Sequence, residues 1–169
     1  MGKSTTMRLT GLACGALMAA ALLGGCVAQN GSQATEQQTA NRQYMTQVNQ
    51  AMDDLSGRLD GFADAVARGD VVTMRTQADN AYRALDALSA LEAPDDLKKV
   101  QAAYVEGCNE LEEALDAYIA LYTEIENATE EDPFDYATYD ERLKEIQDRY
   151  NKGLEKLQAG DKEATNLPS

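Results

Sequence analysis

Met45, Val48, Met52, Leu55, Leu59, Phe62 and Val66 recur at steps that alternate between three and four residues. That spacing draws an apolar seam down one side of an α-helix, and it is incompatible with a strand, whose faces alternate every two residues. Asp, Arg, Gln and Ser fill the positions between. A helix of this kind gains most of its stability by packing its seam on other helices. Gly57 and Gly61 sharpen that need, each weakening helix propensity by roughly 1 kcal/mol relative to alanine.

Three further segments repeat the pattern. Val71, Met74, Ala78, Ala81, Leu85 and Leu88 form the second stripe, with Tyr82 and Leu91 beside it. Leu97, Val100, Tyr104, Cys108, Leu111, Leu115, Tyr118, Tyr122 and Ile125 form the third. Tyr136, Tyr139, Leu143, Ile146, Tyr150, Gly153 and Leu157 form the fourth. The punctuation agrees. Gly69 suits a left-handed helix end, and Asp70 suits the cap of the next helix. Pro94 disfavours helical geometry in the residue before it and suits the first turn of a third helix. The acidic run to Pro133 reads as a loop, with Asp132 as the cap of a fourth helix, and Gly160 reads as its stop.

The expectation is an all-α domain over residues 41–159, with helices at about 41–68, 71–93, 95–127 and 133–158, and a disordered polar tail over 160–169. Short connections favour antiparallel neighbours, hence an up-down-up-down four-helix bundle. The competing arrangement is a three-helix bundle whose first helix is partly detached or bends at Gly57 and Gly61.

Ahead of the helices lies a different kind of segment. Lys3 and Arg8 precede an apolar, alanine-rich run of 15 residues, Leu9 to Leu23. It is short of the ~20 residues that span a bilayer, and small residues close it, as in an export signal. Leu23, Gly24, Gly25 and Cys26 resemble the lipobox of bacterial lipoproteins. The resemblance implies signal peptidase recognition of Leu23, Gly24 and Gly25, and removal of residues 1–25. It also implies a diacylglycerol joined to the Cys26 sulfur, which is the only cofactor-like group expected, and a lipid anchor on the extracytoplasmic side of the cell membrane. An uncleaved anchor, or ordinary cleavage near Ala28, are the competing readings. Cys14 falls inside the apolar run, not at its end. Residues 26–40 then hold the modified cysteine and a polar tether that reaches at most about 50 Å when extended. Several bacterial surface lipoproteins are similar in layout, with helices joined through Gly-Asp and Ala-Pro turns after a polar tether.

Charge and composition exclude much chemistry. The sequence has no histidine, so Ser-His-Asp triads, Cys-His pairs and histidine-ligated metals are ruled out. From Cys26 onward 13 Lys and Arg face 29 Asp and Glu, a net −16 that repels nucleic acid. Beyond Cys26, Cys108 is the only thiol; on a helical seam it reads as a buried, inert residue. Glu130, Glu131, Asp132, Asp135, Asp140 and Glu141 lack the spacing of a calcium loop and read as a solvated turn, so no metal is expected. Arg68-Gly69-Asp70 spells the integrin-recognition tripeptide, but turn chemistry accounts for all three residues.

Tyr118, Tyr122, Tyr136 and Tyr139 are the remaining candidates. An antiparallel hairpin of the third and fourth helices brings them together near its turn. They would line a cleft for a small molecule or peptide, or else pack the core with their hydroxyls at the surface. The sequence therefore points to a non-enzymatic, membrane-anchored lipoprotein whose bundle has an interaction or structural role with an envelope protein partner. A ligand-binding or sensing bundle is the alternative.

Overall fold

The computed structural model describes residues 36–166; the expected signal segment 1–25, Cys26, residues 27–35 and residues 167–169 lie outside it. The described residues form α1 (Glu36–Arg68), α2 (Val71–Ser89), a short 3-10 turn (Asp95–Leu97), α3 (Lys98–Asn127) and α4 (Tyr139–Thr165), with no strand among them. The all-α bundle expected from the periodicity is what forms.

The α1–α2 turn follows its sequence signals closely. Gly69 takes φ +64°, the left-handed conformation that closes a helix. The Asp70 carboxylate accepts the Thr73 amide at 3.0 Å, capping α2. Thr73 also donates its hydroxyl to the same carboxylate, so the Asp of the Arg-Gly-Asp tripeptide is engaged within its own helix cap.

Other boundaries differ, for identifiable reasons. α1 starts at Glu36, so residues 36–40 of the expected tether are helical. Gln37 donates to Asn41 one turn on, and Glu36 complements the positive end of the helix dipole. α2 stops at Ser89, not Ala93. Gln101 donates to the Leu91 carbonyl at 2.6 Å, satisfying a group that would otherwise belong to a longer helix. Pro94 leads into the 3-10 turn, and α3 proper begins at Lys98. α4 begins at Tyr139, six residues after Pro133, and continues through Gly160 to Thr165. Residues 160–165 of the expected tail are therefore helix. Gly160 does not stop α4; it makes room, because a Cβ there would lie 2.7 Å from the Tyr104 ring.

Ion pairs and hydrogen bonds fix an antiparallel order. Arg142 pairs with Glu124, Arg149 with Glu113, Lys152 with Glu110 and Lys156 with Glu106, so α4 runs down as α3 runs up. Between α2 and α3, the Tyr82 hydroxyl donates to Asp116 at 2.5 Å and Arg75 donates to Thr123 at 2.9 Å. The main interfaces join sequence neighbours, α1 on α2, α2 on α3 and α3 on α4. α1 is nonetheless neither detached nor broken. It is one helix through Gly57 and Gly61, and it buries Tyr44, Val48, Leu55, Leu59, Phe62, Ala65 and Val66. At ~1.5–3 kcal/mol for each large apolar side chain fully buried, that face commits α1 to the core. The three-helix alternative is thus overturned.

Candidate functional site

The connection between α3 and α4 is built by its own polar residues. The Asp132 amide donates to the Thr129 hydroxyl at 3.0 Å while the Thr129 amide donates to the Asp132 carbonyl. Asp135 then accepts the Ala137 amide on its carboxylate and the Thr138 hydroxyl on its carbonyl, at 3.0 and 2.9 Å. Asp132 and Asp135 therefore act as turn formers, the role that short acidic side chains fill when they bond nearby backbone. Pro133 starts no helix here because these turns fold the backbone first.

Between the two turns Phe134 swings inward and is only 7% exposed. Its ring meets Tyr139 edge-on at 6.4 Å and Tyr136 at 5.0 Å. The Arg142 guanidinium lies over the same ring at 5.7 Å from its centroid, close enough for a cation–π contact. Arg142 also binds Glu124 at 2.7 Å, which holds the Glu124 carboxyl below its usual range. Deeper in, the Tyr122 hydroxyl is hydrogen-bonded to that of Tyr139, and Tyr118 packs edge-on against Phe62 at 5.9 Å.

The four candidate tyrosines separate into different environments. Tyr118 is fully buried, Tyr139 nearly so, and Tyr122 half-buried. Tyr136 departs from the expected seam: it sits in the connection, ahead of α4, and is 62% exposed. The structure thus brings Tyr118, Tyr122 and Tyr139 into one packed cluster and leaves Tyr136 outside it, against Phe134. Phe134 is the residue that sequence periodicity did not supply. Its signal was a single large apolar side chain inside an acidic run, which has no helical period to betray it.

Chemically, this end of the bundle is a closed aromatic packing. Burial, then the bond to Tyr139, pushes the Tyr122 phenol above its ordinary pKa, so it stays protonated. Tyr104, at the other end, is likewise raised by burial and by its bond to Asp161 at 2.7 Å. Cys108 is buried on α3, and burial pushes its thiol up to about 11, far from the range of a reactive thiolate. Among the described residues no group of three or more Cys, Asp or Glu is arranged to hold a metal ion. No described helix is long and apolar enough to cross a membrane. No family model, no curated protein and no solved structure matches the chain.

Proposed function

We propose that the chain is an exported lipoprotein, anchored through a diacylglycerol thioether at Cys26, whose acidic bundle has a non-enzymatic interaction or structural role at the cell envelope. The observation that carries this reading is Leu23-Gly24-Gly25-Cys26 at the close of an apolar run that follows Lys3 and Arg8. In the chain Cys26 lies ten residues before Glu36, the first described residue of α1. Two or more acyl chains at that position give durable attachment, where one chain is marginal. A partner for the bundle is an envelope protein and not nucleic acid, given the excess of carboxylates. The interhelical polar groups described above hold helices together, which favours a scaffold over a reaction centre.

The test is metabolic labelling with a palmitate analogue, followed by fractionation of membranes from soluble material. The parent chain is expected to carry label and to partition with membranes. Cys26→Ser is expected to lose the label and to retain the signal segment, and so to migrate as a longer chain. Label retained by Cys26→Ser would refute the assignment.

A further inference from the structure

Charge is spread unevenly along the bundle axis. A plane across its middle lies between the Tyr82–Asp116 contact on one side and the Lys152–Glu110 contact on the other. It separates residues 36–52, 87–111 and 151–166 from residues 53–86 and 112–150. The first half is the end where α1 begins, and it holds six Lys and Arg against nine Asp and Glu, a net −3. The second half contains the α3–α4 connection and holds seven against twenty, a net −13. Residues 27–35 add no charge.

The chain joins Cys26 to the weakly charged end, through nine residues that extend to at most about 30 Å. The axis of the bundle is longer, since the 30 residues of α3 rise about 45 Å. A carboxylate within a Debye length of anionic headgroups, ~8 Å at physiological salt, is repelled by them. A bundle lying flat places carboxylates of both halves in that layer. A bundle standing on its α1 end places only the −3 half there, where Lys98, Lys99 and Lys162 are exposed. Resting on the reading of Cys26 as the anchor, we infer that the α1 end is the surface that faces an anionic bilayer, and that charge polarity holds the α3–α4 connection and Tyr136 away from it.

The orientation is measured on the chain from Cys26 onward, coupled through the Cys26 thiol to a maleimide lipid; Cys108 is 0% exposed and stays unreacted. A donor dye is attached through azidophenylalanine in place of Thr165 or of Tyr136, both exposed. The acceptor sits in the headgroup layer of phosphatidylcholine vesicles made with or without phosphatidylglycerol. With phosphatidylglycerol, transfer from position 165 is expected to exceed that from position 136 by about threefold, the 27 residues of α4 between them rising about 40 Å at 1.5 Å per residue. That ratio is expected to fall without phosphatidylglycerol, at high salt, and in a variant combining Glu126→Gln, Glu130→Gln and Glu131→Gln. Equal transfer from the two positions, or a ratio indifferent to phosphatidylglycerol, would overturn the inference. Because the anchor is attached chemically, this outcome is independent of cellular lipidation, which palmitate labelling reads separately.

Discussion

Gly107 and Gly153 face each other where α3 and α4 come closest. A Cβ on Gly153 would sit 3.1 Å from the Gly107 carbonyl oxygen and 2.7 Å from Leu111, and one on Gly107 would sit 3.0 Å from the Gly153 carbonyl oxygen and 2.7 Å from Leu157. Backbone oxygens give way only if the helices separate. Gly153→Ala is therefore expected to destabilise the bundle by ~1–3 kcal/mol, the usual scale of overpacking, despite the ~1 kcal/mol that alanine gains in helix propensity. Gly57 is the control, because a Cβ there meets nothing within 4 Å. Gly57→Ala is expected to stabilise by up to ~1 kcal/mol. Urea denaturation of both variants measures the contrast, and equal midpoints would show that the close approach is not there.

Two other glycines, Gly69 and Gly160, mark how far the sequence reveals the fold and where it stops. Gly69 is legible because a left-handed helix end is a local requirement, met by the residue itself and by Asp70 and Thr73 beside it. The seams of α1, α2 and α3 are legible for a similar reason: their period is a property of one helix. Gly160 looks like a stop in the sequence because the ring it makes room for, Tyr104, lies more than fifty residues away. Phe134 and the start of α4 share one cause, since turns made by Thr129, Asp132 and Asp135 override the helix-start signal of Pro133. The α4 period, extended backwards across those turns, reaches Tyr136, which the turns take off the helix. Tyr118, Tyr122 and Tyr139 lie inside regular helices, and there the antiparallel hairpin brought them together as the spacing required.

Cys108 offers a test of core integrity. Its thiol is fully buried and raised to about 11 by burial, with Ser89 as a hydrogen-bond partner that partly offsets this. Only the thiolate reacts, so both accessibility and protonation protect it. In residues 27–169, where Cys108 is the only cysteine, thiol reagents are expected to modify Cys108 negligibly under native conditions and fully in denaturant. Labelling at the same rate in both conditions would contradict a closed core between α2 and α3.

Glu112 carries the opposite electrostatics from its neighbours on α3. Burial first, then Asp86 and Asp116, raises its carboxyl above the ordinary value. A raised folded pKa means the folded chain binds the proton more tightly than the unfolded chain, so the charged form is a liability at neutral pH. Glu112→Gln removes that liability and is expected to stabilise by about 0.5 kcal/mol at pH 7, a figure discounted for solvent screening. The gain should vanish as the pH falls below about 4, where Glu112 is protonated in both states. Glu110 and Glu124 behave conversely, lowered by Lys152 and Arg142. Their contribution is present above the unfolded carboxylate range and is lost as the pH falls through their folded values. Thermal midpoints of parent and Glu112→Gln across pH 3 to 8 separate the two effects; a constant difference at every pH would exclude the titration of Glu112 as its cause.

Phe134 closes the end of the bundle that bears the α3–α4 connection. It fills the space between Tyr139, Tyr136 and the Arg142 guanidinium, and its 7% exposure makes it a core residue despite its place in a loop. Phe134→Ala removes the ring and leaves Arg142 with Glu124 as its remaining partner. Truncating a buried phenylalanine costs ~3–5 kcal/mol in a rigid core. At the end of a bundle the connection can settle into part of the space, so a cost of about 2–3 kcal/mol is expected. Tyr136→Ala shares the same loop but removes a ring that is 62% exposed, and is expected to cost less than ~1 kcal/mol. Amide hydrogen exchange locates the effect: Phe134→Ala should raise exchange at the C-terminal turn of α3 and the first turn of α4, leaving the Gly107–Gly153 contact protected. A Phe134→Ala chain as stable as Tyr136→Ala would mean that the connection lies on the surface and seals nothing.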